Sequence, residues 1–269
     1  MHIAAKKSGY KAAMPITSNS TTTLTTHLLT LSPTAYKSAT EHPFLTAAAT
    51  NTLPTALLLE WLLQDRHYAL TYISFIGALL SKLTIPTTSN RLSTLSWEIA
   101  NTLIFSLNNI KAELELFDKV LFEEFGWNES GEVEVLPITR AYQDMFAGAG
   151  SAKASLLEGM VVLWATEGCY FDAWGFAKRS GKNGGGVTTP TITTTATTDG
   201  GEERSDVMTR VFIPNWTSEA FKGFVDTLEQ LVNGIVKEEG VEVGGEVWQR
   251  CEATWRQVLW LEERFWPDV

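Results

Sequence analysis

The chain has 269 residues, of which 44% are hydrophobic and 11% are aromatic, and it contains ten tryptophans. This composition supplies enough apolar surface for a sizeable core and excludes an intrinsically disordered chain. The formal net charge of −10 argues against a nucleic-acid partner and against an anionic membrane, because both require a basic surface. Because cysteines are few and no apolar stretch is long enough to span a bilayer, we expect a cytoplasmic protein with no membrane partner.

Two segments differ from the rest in composition. The segment 1–32 is rich in serine and threonine and is expected to be a flexible tail, although three lysines and no acid in residues 1–31 also suit a transit peptide. The segment at about 180–206 consists of glycine and threonine runs with almost no apolar residue, and it is expected to be a disordered insertion. The remainder, 33–269, is expected to fold as one helical domain.

Within that domain, apolar residues recur at helical spacing, and strand signals are nearly absent. Pro43 lies inside the first predicted helix and is expected to bend or break it. The pattern predicts an all-α bundle of about seven or eight helices. The principal predicted bounds are 33–50, 55–83, 91–125, 137 to 148 or 150, 152–178, 218–237 and 247–266.

The helix around 163–178 is apolar on nearly all sides, which predicts a position in the middle of the bundle. It nevertheless carries Glu167, which shares a face with Tyr170 and Trp174 at helical spacing. Asp172 lies about 140° away around the helix and is expected on a more solvated side. A buried carboxylate among aromatic rings is costly unless it is paired or used, so Glu167 is the first candidate for function.

Other polar residues within apolar helices show the same pattern. Asp65 precedes Tyr68 by three positions, Glu262 precedes Phe265 by three, and Tyr142 stands in an apolar helix of its own. Taken singly, each acid is more simply explained as a fastening between helices. Taken together, they predict a pocket for a small, flat ligand that is stacked by rings and hydrogen-bonded by carboxylates.

The sequence gives little support for a metal site or for a nucleophilic cysteine. None of the four histidines follows a glutamate by three residues, as a di-iron bundle would require, so no metal site is expected. His42 or His67 could ligate a haem on composition alone, but a paired or surface side chain is the simpler interpretation. Cys169 lies roughly 200° around the helix from Glu167 and has no histidine near it in sequence, which favours a structural role.

Several short motifs occur in order over about residues 33–266: His42-Pro43-Phe44, Gln64-Asp65-x-x-Tyr68, Tyr142, the helix with Glu167, Asn215-Trp216-x-Ser218-x-x-Phe221 and Glu262-x-x-Phe265-Trp266. In order and rough spacing they resemble the TenA family of thiamin-salvage proteins. The resemblance implies a haem-oxygenase-like helical bundle without haem or another cofactor. It also implies a homo-oligomer, either a dimer or a tetramer.

The resemblance assigns roles within a pyrimidine pocket. Asp65 would hold the ring amino group and a ring nitrogen, and Glu262 would transfer protons with Phe265 stacked nearby. The remaining pocket-lining positions would be Tyr68, Tyr142, Tyr170 and Trp216, the last at a place where many members have a tyrosine.

One departure from the family pattern concerns the reaction itself. Many members have a nucleophilic cysteine four residues before the position of Tyr170, where this chain has Thr166 followed by Glu167. This resembles the subgroup that lacks the cysteine and has a glutamate in this region. A buried carboxylate with a raised pKa would activate water as a general base rather than form a covalent adduct. We therefore expect Glu167 and Glu262 to share the proton transfers.

The expected function is hydrolysis of a C–N bond in a thiamin-derived aminopyrimidine, with release of ammonia, or in a formylaminopyrimidine, with removal of the formyl group. Two alternatives remain open at this point. The chain could bind a pyrimidine without catalysis, or it could be a helical scaffold for a partner. Hydrolysis and pyrimidine binding both require Asp65, Glu167 and Glu262 to face one cavity of ligand size.

Overall fold

The computed structural model describes residues 22–128, 133–184 and 205–269. Over these residues it contains ten α-helices and no strand, which confirms the all-α prediction, and eight of the helices have eight or more residues. The helices are α1 (Leu24–Leu31), α2 (Pro33–Thr40), α3 (Pro43–Ala49), α4 (Thr55–Ser81), α5 (Leu95–Phe125), α6 (Pro137–Gly150), α7 (Leu156–Gly184), α8 (Ile213–Trp216), α9 (Glu219–Glu238) and α10 (Glu246–Phe265).

Pro43 divides the first predicted helix into α2 and α3. It occupies the first turn of α3, where its missing N–H is not needed, and the imidazole Nδ1 of His42 accepts a hydrogen bond from the backbone N–H of Phe44 at 3.2 Å. Asn51, with φ of 55°, follows α3 and turns the chain toward α4. The predicted break before Thr55 is therefore confirmed.

The prediction of a flexible tail over 1–32 is wrong for its described part. Helix α1 packs against α9 and α10, and its side chains of Leu24 and Leu28 are fully buried. Thr25 and Asn233 exchange hydrogen bonds of 2.8 and 3.3 Å between α1 and α9. Two leucines four positions apart place an apolar face on this short helix, and that face packs into the core. Residues 1–21 lie outside the described residues.

Helix α7 starts later and ends later than predicted. Its start is set by a capping box, in which the Ser155 hydroxyl accepts from the Glu158 N–H at 3.1 Å and the Glu158 carboxylate accepts from the Ser155 N–H at 2.9 Å. Its last turn includes residues 180–184, which were expected in the disordered insertion. Gly181 lies so close to α3 that an added Cβ would be 2.8 Å from the Ala49 carbonyl oxygen. The core of the predicted insertion, 185–204, lies outside the described residues.

Helix α7 is the centre of the bundle, as predicted. It packs against α2, α3, α9 and α10, while α4 packs mainly against α5 and α6. Side-chain hydrogen bonds connect α4 with α7, among them one from Tyr72 to Glu167 at 2.7 Å and one from Tyr170 to Asp65 at 2.8 Å. None of the described helices has both the length and the hydropathy needed to cross a membrane.

Candidate functional site

A cavity of about 140 Å³ lies between α4, α5, α7 and the chain that leads from α8 into α9. Its opening lies between α5 and the start of α9, where the lining residues Phe105, Asn109 and Ala220 are exposed. An apolar cavity of similar size accepts one benzene ring. The full lining comprises Asp65, Tyr68, Ala69, Phe105, Asn109, Ile110, Glu113, Phe117, Thr166, Glu167, Tyr170, Asn215, Trp216, Ser218, Ala220, Phe221 and Phe224.

Asp65 is the most deeply buried acid of the cavity wall, with 4% of its surface exposed. The Tyr170 hydroxyl donates to its Oδ2. Burial raises the pKa of the Asp65 carboxyl to about 8; the hydrogen bond from Tyr170 opposes this rise, and the nearby Glu113 and Glu167 add to it. A protonated carboxyl presents both an O–H donor and an acceptor oxygen.

Glu167 lies on the adjacent wall, on the same face of α7 as Tyr170. Its Oε1 accepts the hydrogen bond from Tyr72, and the side chain is only partly buried, in contact with the cavity. Burial raises the pKa of the Glu167 carboxyl to about 8; the hydrogen bond from Tyr72 opposes this rise, and the charge of Glu113 reinforces it. Glu167, the acid that the sequence places within the apolar central helix, therefore faces the cavity.

Thr166 occupies the cavity wall beside Glu167, at the position where the resemblance in sequence implies a cysteine in many members. Its hydroxyl donates to the backbone carbonyl oxygens of Val162 at 3.0 Å and Leu163 at 3.1 Å. An alcohol engaged with its own helix is a poor nucleophile without an adjacent base. Cys169 is fully buried outside the cavity lining, and burial raises the pKa of its thiol well above the usual value.

Glu113 is a lining acid that sequence reasoning missed. Its helix, α5, carries most of its acids in the second half, a pattern that is typical of a solvated face. Glu113 instead points inward, and its Oε1 accepts a 2.5 Å hydrogen bond from the Trp216 indole Nε1. Burial raises the pKa of its carboxyl. The available signal was its spacing from Ile110 and Phe117, three and four positions away on the apolar face.

Three predicted site residues, Tyr142, Glu262 and Phe265, do not line the cavity. They form a layer behind Tyr68: the Tyr142 and Glu262 side chains are hydrogen-bonded, and the Phe265 ring lies 6.3 Å from that of Tyr68. Burial raises the pKa of Glu262 to about 8, with the hydrogen bond from Tyr142 opposing the rise. The expectation that three acids face one cavity therefore holds for Asp65 and Glu167, while Glu262 is not among the lining residues.

The cavity rests on a cluster of large aromatic side chains. Trp216 lines the cavity as predicted, with its ring 5.0 Å from Tyr170 and 4.8 Å from Trp174. Trp61 and Trp266 extend the cluster into the core. This packing holds Tyr170 and Trp216, and through them the hydrogen-bonded oxygens of Asp65 and Glu113. Among the described residues, no group of three His, Cys, Asp or Glu side chains is arranged to hold a metal ion.

Known proteins match this chain along most of its length. A "Probable transcription factor" of Fusarium pseudograminearum (strain CS3096) is 29% identical over 261 residues, or 91% of this chain and 52% of that protein. This chain thus spans about half the length of that relative.

Solved structures of TenA proteins share the fold at low sequence identity. A TenA homologue from Pyrococcus furiosus has a TM-score of 0.68 and 20% identity, covering 90% of this chain and 98% of its own. A TenA family transcription regulator from Silicibacter sp. TM1040 has a TM-score of 0.69 and 16% identity, covering 90% and 94%. These similarities confirm the predicted haem-oxygenase-like helical fold. Residues 33–269 match the TENA/THI-4/PQQC family, and the chain therefore belongs to that family.

Proposed function

We propose that this chain hydrolyses a C–N bond of a thiamin-derived aminopyrimidine, with carboxylates rather than a cysteine activating the attacking water. The observation that carries the proposal is a cavity of one-ring size whose wall holds a buried carboxyl, Asp65, and a half-buried one, Glu167. Family membership supports a role in thiamin salvage. The pair Thr166 and Glu167 further supports membership of the glutamate-bearing subgroup.

Asp65 is suited to recognise the pyrimidine. In its protonated form it offers one donor and one acceptor, which complement a ring nitrogen and the neighbouring ring amino group. Its raised pKa, about 8, keeps a large fraction of the carboxyl protonated at neutral pH. The rings of Tyr170 and Trp216 in the cavity wall provide apolar surface for the flat ligand.

Glu167 is suited to act as the general base. A carboxyl with a pKa of about 8 is a stronger base than an ordinary glutamate once it ionises. In the proposed reaction the ionised Glu167 takes a proton from water, the water oxygen bonds to the carbon, and the C–N bond breaks. Glu262, held behind Tyr68, would accept or return protons as a second reservoir.

Two assays on the purified full chain test this proposal. Ammonia release from an aminomethyl-aminopyrimidine and formate release from its formylamino derivative are followed separately. We expect one of them to be catalysed, and Glu167→Gln to lower kcat about 100-fold or more, since a positioned base contributes 10²–10⁴-fold. Asp172→Asn is the matched control because Asp172 is an exposed acid on the same helix. Full activity of Glu167→Gln would disprove the assigned role.

A binding protein without catalytic activity is the second candidate, and it is favoured by the threonine at the position of the family nucleophile. Thermal-shift titration with the same pyrimidines distinguishes the two functions, since a binder shows stabilisation without turnover. The names of the Fusarium and Silicibacter proteins suggest transcriptional roles for those proteins. The net charge of −10 gives no electrostatic support for DNA binding by this chain.

The family resemblance also predicts a homo-oligomer, either a dimer or a tetramer. We retain this as a proposal. Light scattering coupled to size-exclusion chromatography measures the assembled mass directly, and a single peak at the mass of one 29.7 kDa chain would contradict it.

A further inference from the structure

Three carboxyl groups line the cavity, contributed by Asp65, Glu113 and Glu167, and none of the lining residues is basic. Each carboxyl has one oxygen held by a protein donor: Tyr170, the Trp216 indole and Tyr72, respectively. Among the described residues, no donor hydrogen-bonds the second oxygen of any of the three. Each acid therefore has an acceptor available to a ligand.

The three acids also interact with one another. Glu113 raises the pKa of both Asp65 and Glu167 through its charge. Carboxylates so close together in a partly buried cavity cannot all ionise without a compensating cation. A ligand that carries one positive charge and several N–H donors would compensate the charge of the acids and donate to their available oxygens. A primary ammonium group has those properties.

We propose that Glu113 is a specificity-determining residue that binds the exocyclic amine of the substrate as an ammonium ion, so that the cavity selects aminomethyl over formylaminomethyl pyrimidines. This inference rests on the proposed function. There, Asp65 is assigned to the ring and Glu167 to water, which leaves Glu113 as the third lining acid. The Trp216 hydrogen bond fixes Glu113 in place and leaves its other oxygen free for the amine.

Cleavage of the C–N bond requires the protonated form of the amine, which Glu113 would bind. An amine that is not protonated would have to leave as an amide anion, whereas an ammonium group leaves as neutral ammonia with the C–N electron pair. The water oxygen bonds to the methylene carbon, its proton passes to Glu167, and that proton then passes to ammonia. The balance is one ammonium substrate and one water giving one alcohol and one ammonium ion.

Removal of a formyl group fits the same wall poorly. The formylamino substituent is neutral and offers no positive charge to compensate Glu113 and the ionised Glu167. Its second product is formate, an anion released among three carboxyl groups with no basic residue in the lining. Like charges in a cavity of low polarity repel, so this product would be disfavoured. The lining therefore favours the amine substrate.

Isothermal titration calorimetry on the full chain tests the proposal with three ligands that share one ring: the aminomethyl-, hydroxymethyl- and formylaminomethyl-aminopyrimidines. Rate-limited heat from turnover is avoided by measuring in the Glu167→Gln background. We expect the aminomethyl ligand to bind at least about 10-fold more tightly than the hydroxymethyl ligand, which corresponds to about 1.4 kcal/mol.

Glu113→Gln should lower that preference about 10-fold while changing the affinity for the hydroxymethyl ligand less than about twofold. Glutamine retains an acceptor for the Trp216 indole, so the wall keeps its shape. Glu115→Gln is the matched control, since Glu115 lies on the same helix, is exposed and faces Lys111 at 3.8 Å. It should leave the preference unchanged.

The outcomes separate the two proposals. An unchanged preference in Glu113→Gln, or equal binding of the aminomethyl and formylaminomethyl ligands before the change, overturns the role of Glu113 and leaves the proposed function standing. If none of the three pyrimidines binds, although the unfolding temperatures show that the variants are folded, the proposed function is overturned and the inference with it.

Discussion

At the scale of single residues, the cavity concentrates acids whose charged forms are unfavourable. Burial raises the pKa of Asp65 and Glu167 to about 8. In each case a tyrosine hydroxyl opposes the shift without cancelling it. Polar groups placed in this way reduce stability, and proteins keep them chiefly where they act on a ligand. The raised pKa values make both the stability of the fold and the proposed hydrolysis dependent on pH.

The first prediction concerns stability. A carboxyl whose folded pKa lies above its unfolded value holds its proton longer in the folded state, so its contribution is present below the unfolded pKa and is lost as pH rises toward the folded pKa. For Glu167 this window runs from its ordinary value of 4.5 to about 8. Glu167→Gln should therefore raise the free energy of unfolding by roughly 1–3 kcal/mol at pH 8 and by little at pH 4.5. Denaturant titrations at the two pH values measure the difference, and a gain that is equal at both would contradict it.

The second prediction concerns the pH profile of hydrolysis. The proposed reaction needs Asp65 protonated and Glu167 ionised, and both have pKa values of about 8. The profile of kcat/KM should be bell-shaped with its maximum near pH 8, because the two titrations overlap. Asp65→Asn keeps one donor and one acceptor without titrating, so it should move the alkaline decline to higher pH, where the substrate ammonium loses its proton, while activity persists. An alkaline decline that stays at the same pH in Asp65→Asn would assign that limb to another group.

At the scale of secondary-structure elements, the position of α7 determines where Glu167 and Tyr170 face. The Ser155–Glu158 capping box sets its first turn, and Arg250 of α10 contacts the same Glu158 at 3.2 Å. At the other end, Gly181 permits a close approach to α3. The helix is therefore held at both ends, and the cavity residues lie between them.

Gly181→Ala tests the C-terminal contact. The added methyl group would lie 2.8 Å from a backbone oxygen, which cannot move as a side chain can, so the free energy of unfolding should fall by about 1–3 kcal/mol. Gly223→Ala in α9 is the matched control, because nothing lies within 4 Å of the added atom. There the better helix propensity of alanine should stabilise the chain by about 0.5–1 kcal/mol. Chemical denaturation of both variants measures the contrast, and equal effects would refute a packed contact at Gly181.

At the scale of the whole molecule, the described fold includes more of the chain than the family match, which begins at residue 33. Helix α1 adds two buried leucines to the core, and His27 forms a 2.8 Å contact with Glu252 on α10. The N-terminal helix thus fastens α9 and α10. Because α9 forms part of the cavity wall and α10 carries Glu262, α1 supports the elements around the site.

A truncation measures that support. A chain that begins at Pro33 loses the burial of Leu24 and Leu28 and should lose roughly 3 kcal/mol of stability. A chain that begins at Thr22 keeps every described contact of α1 and is the control. Thermal unfolding compares the two, and a chain starting at Pro33 that unfolds at the temperature of the control would show that α1 contributes nothing.

The sequence by itself determined the helices and several of the residues that line the cavity. Apolar spacing and Pro43 define the helices, and acids within apolar helices identified Asp65 and Glu167, because both signals are local along the chain. Spacing along one helix carries no information on distances between helices. Only the tertiary structure therefore decided that Glu113 faces the cavity, that Glu262 does not line it, and that Leu24 and Leu28 are buried. The physical reason is that a side chain's environment is set by the neighbouring helices, and an acid on an amphipathic helix becomes a site residue only when another element covers it.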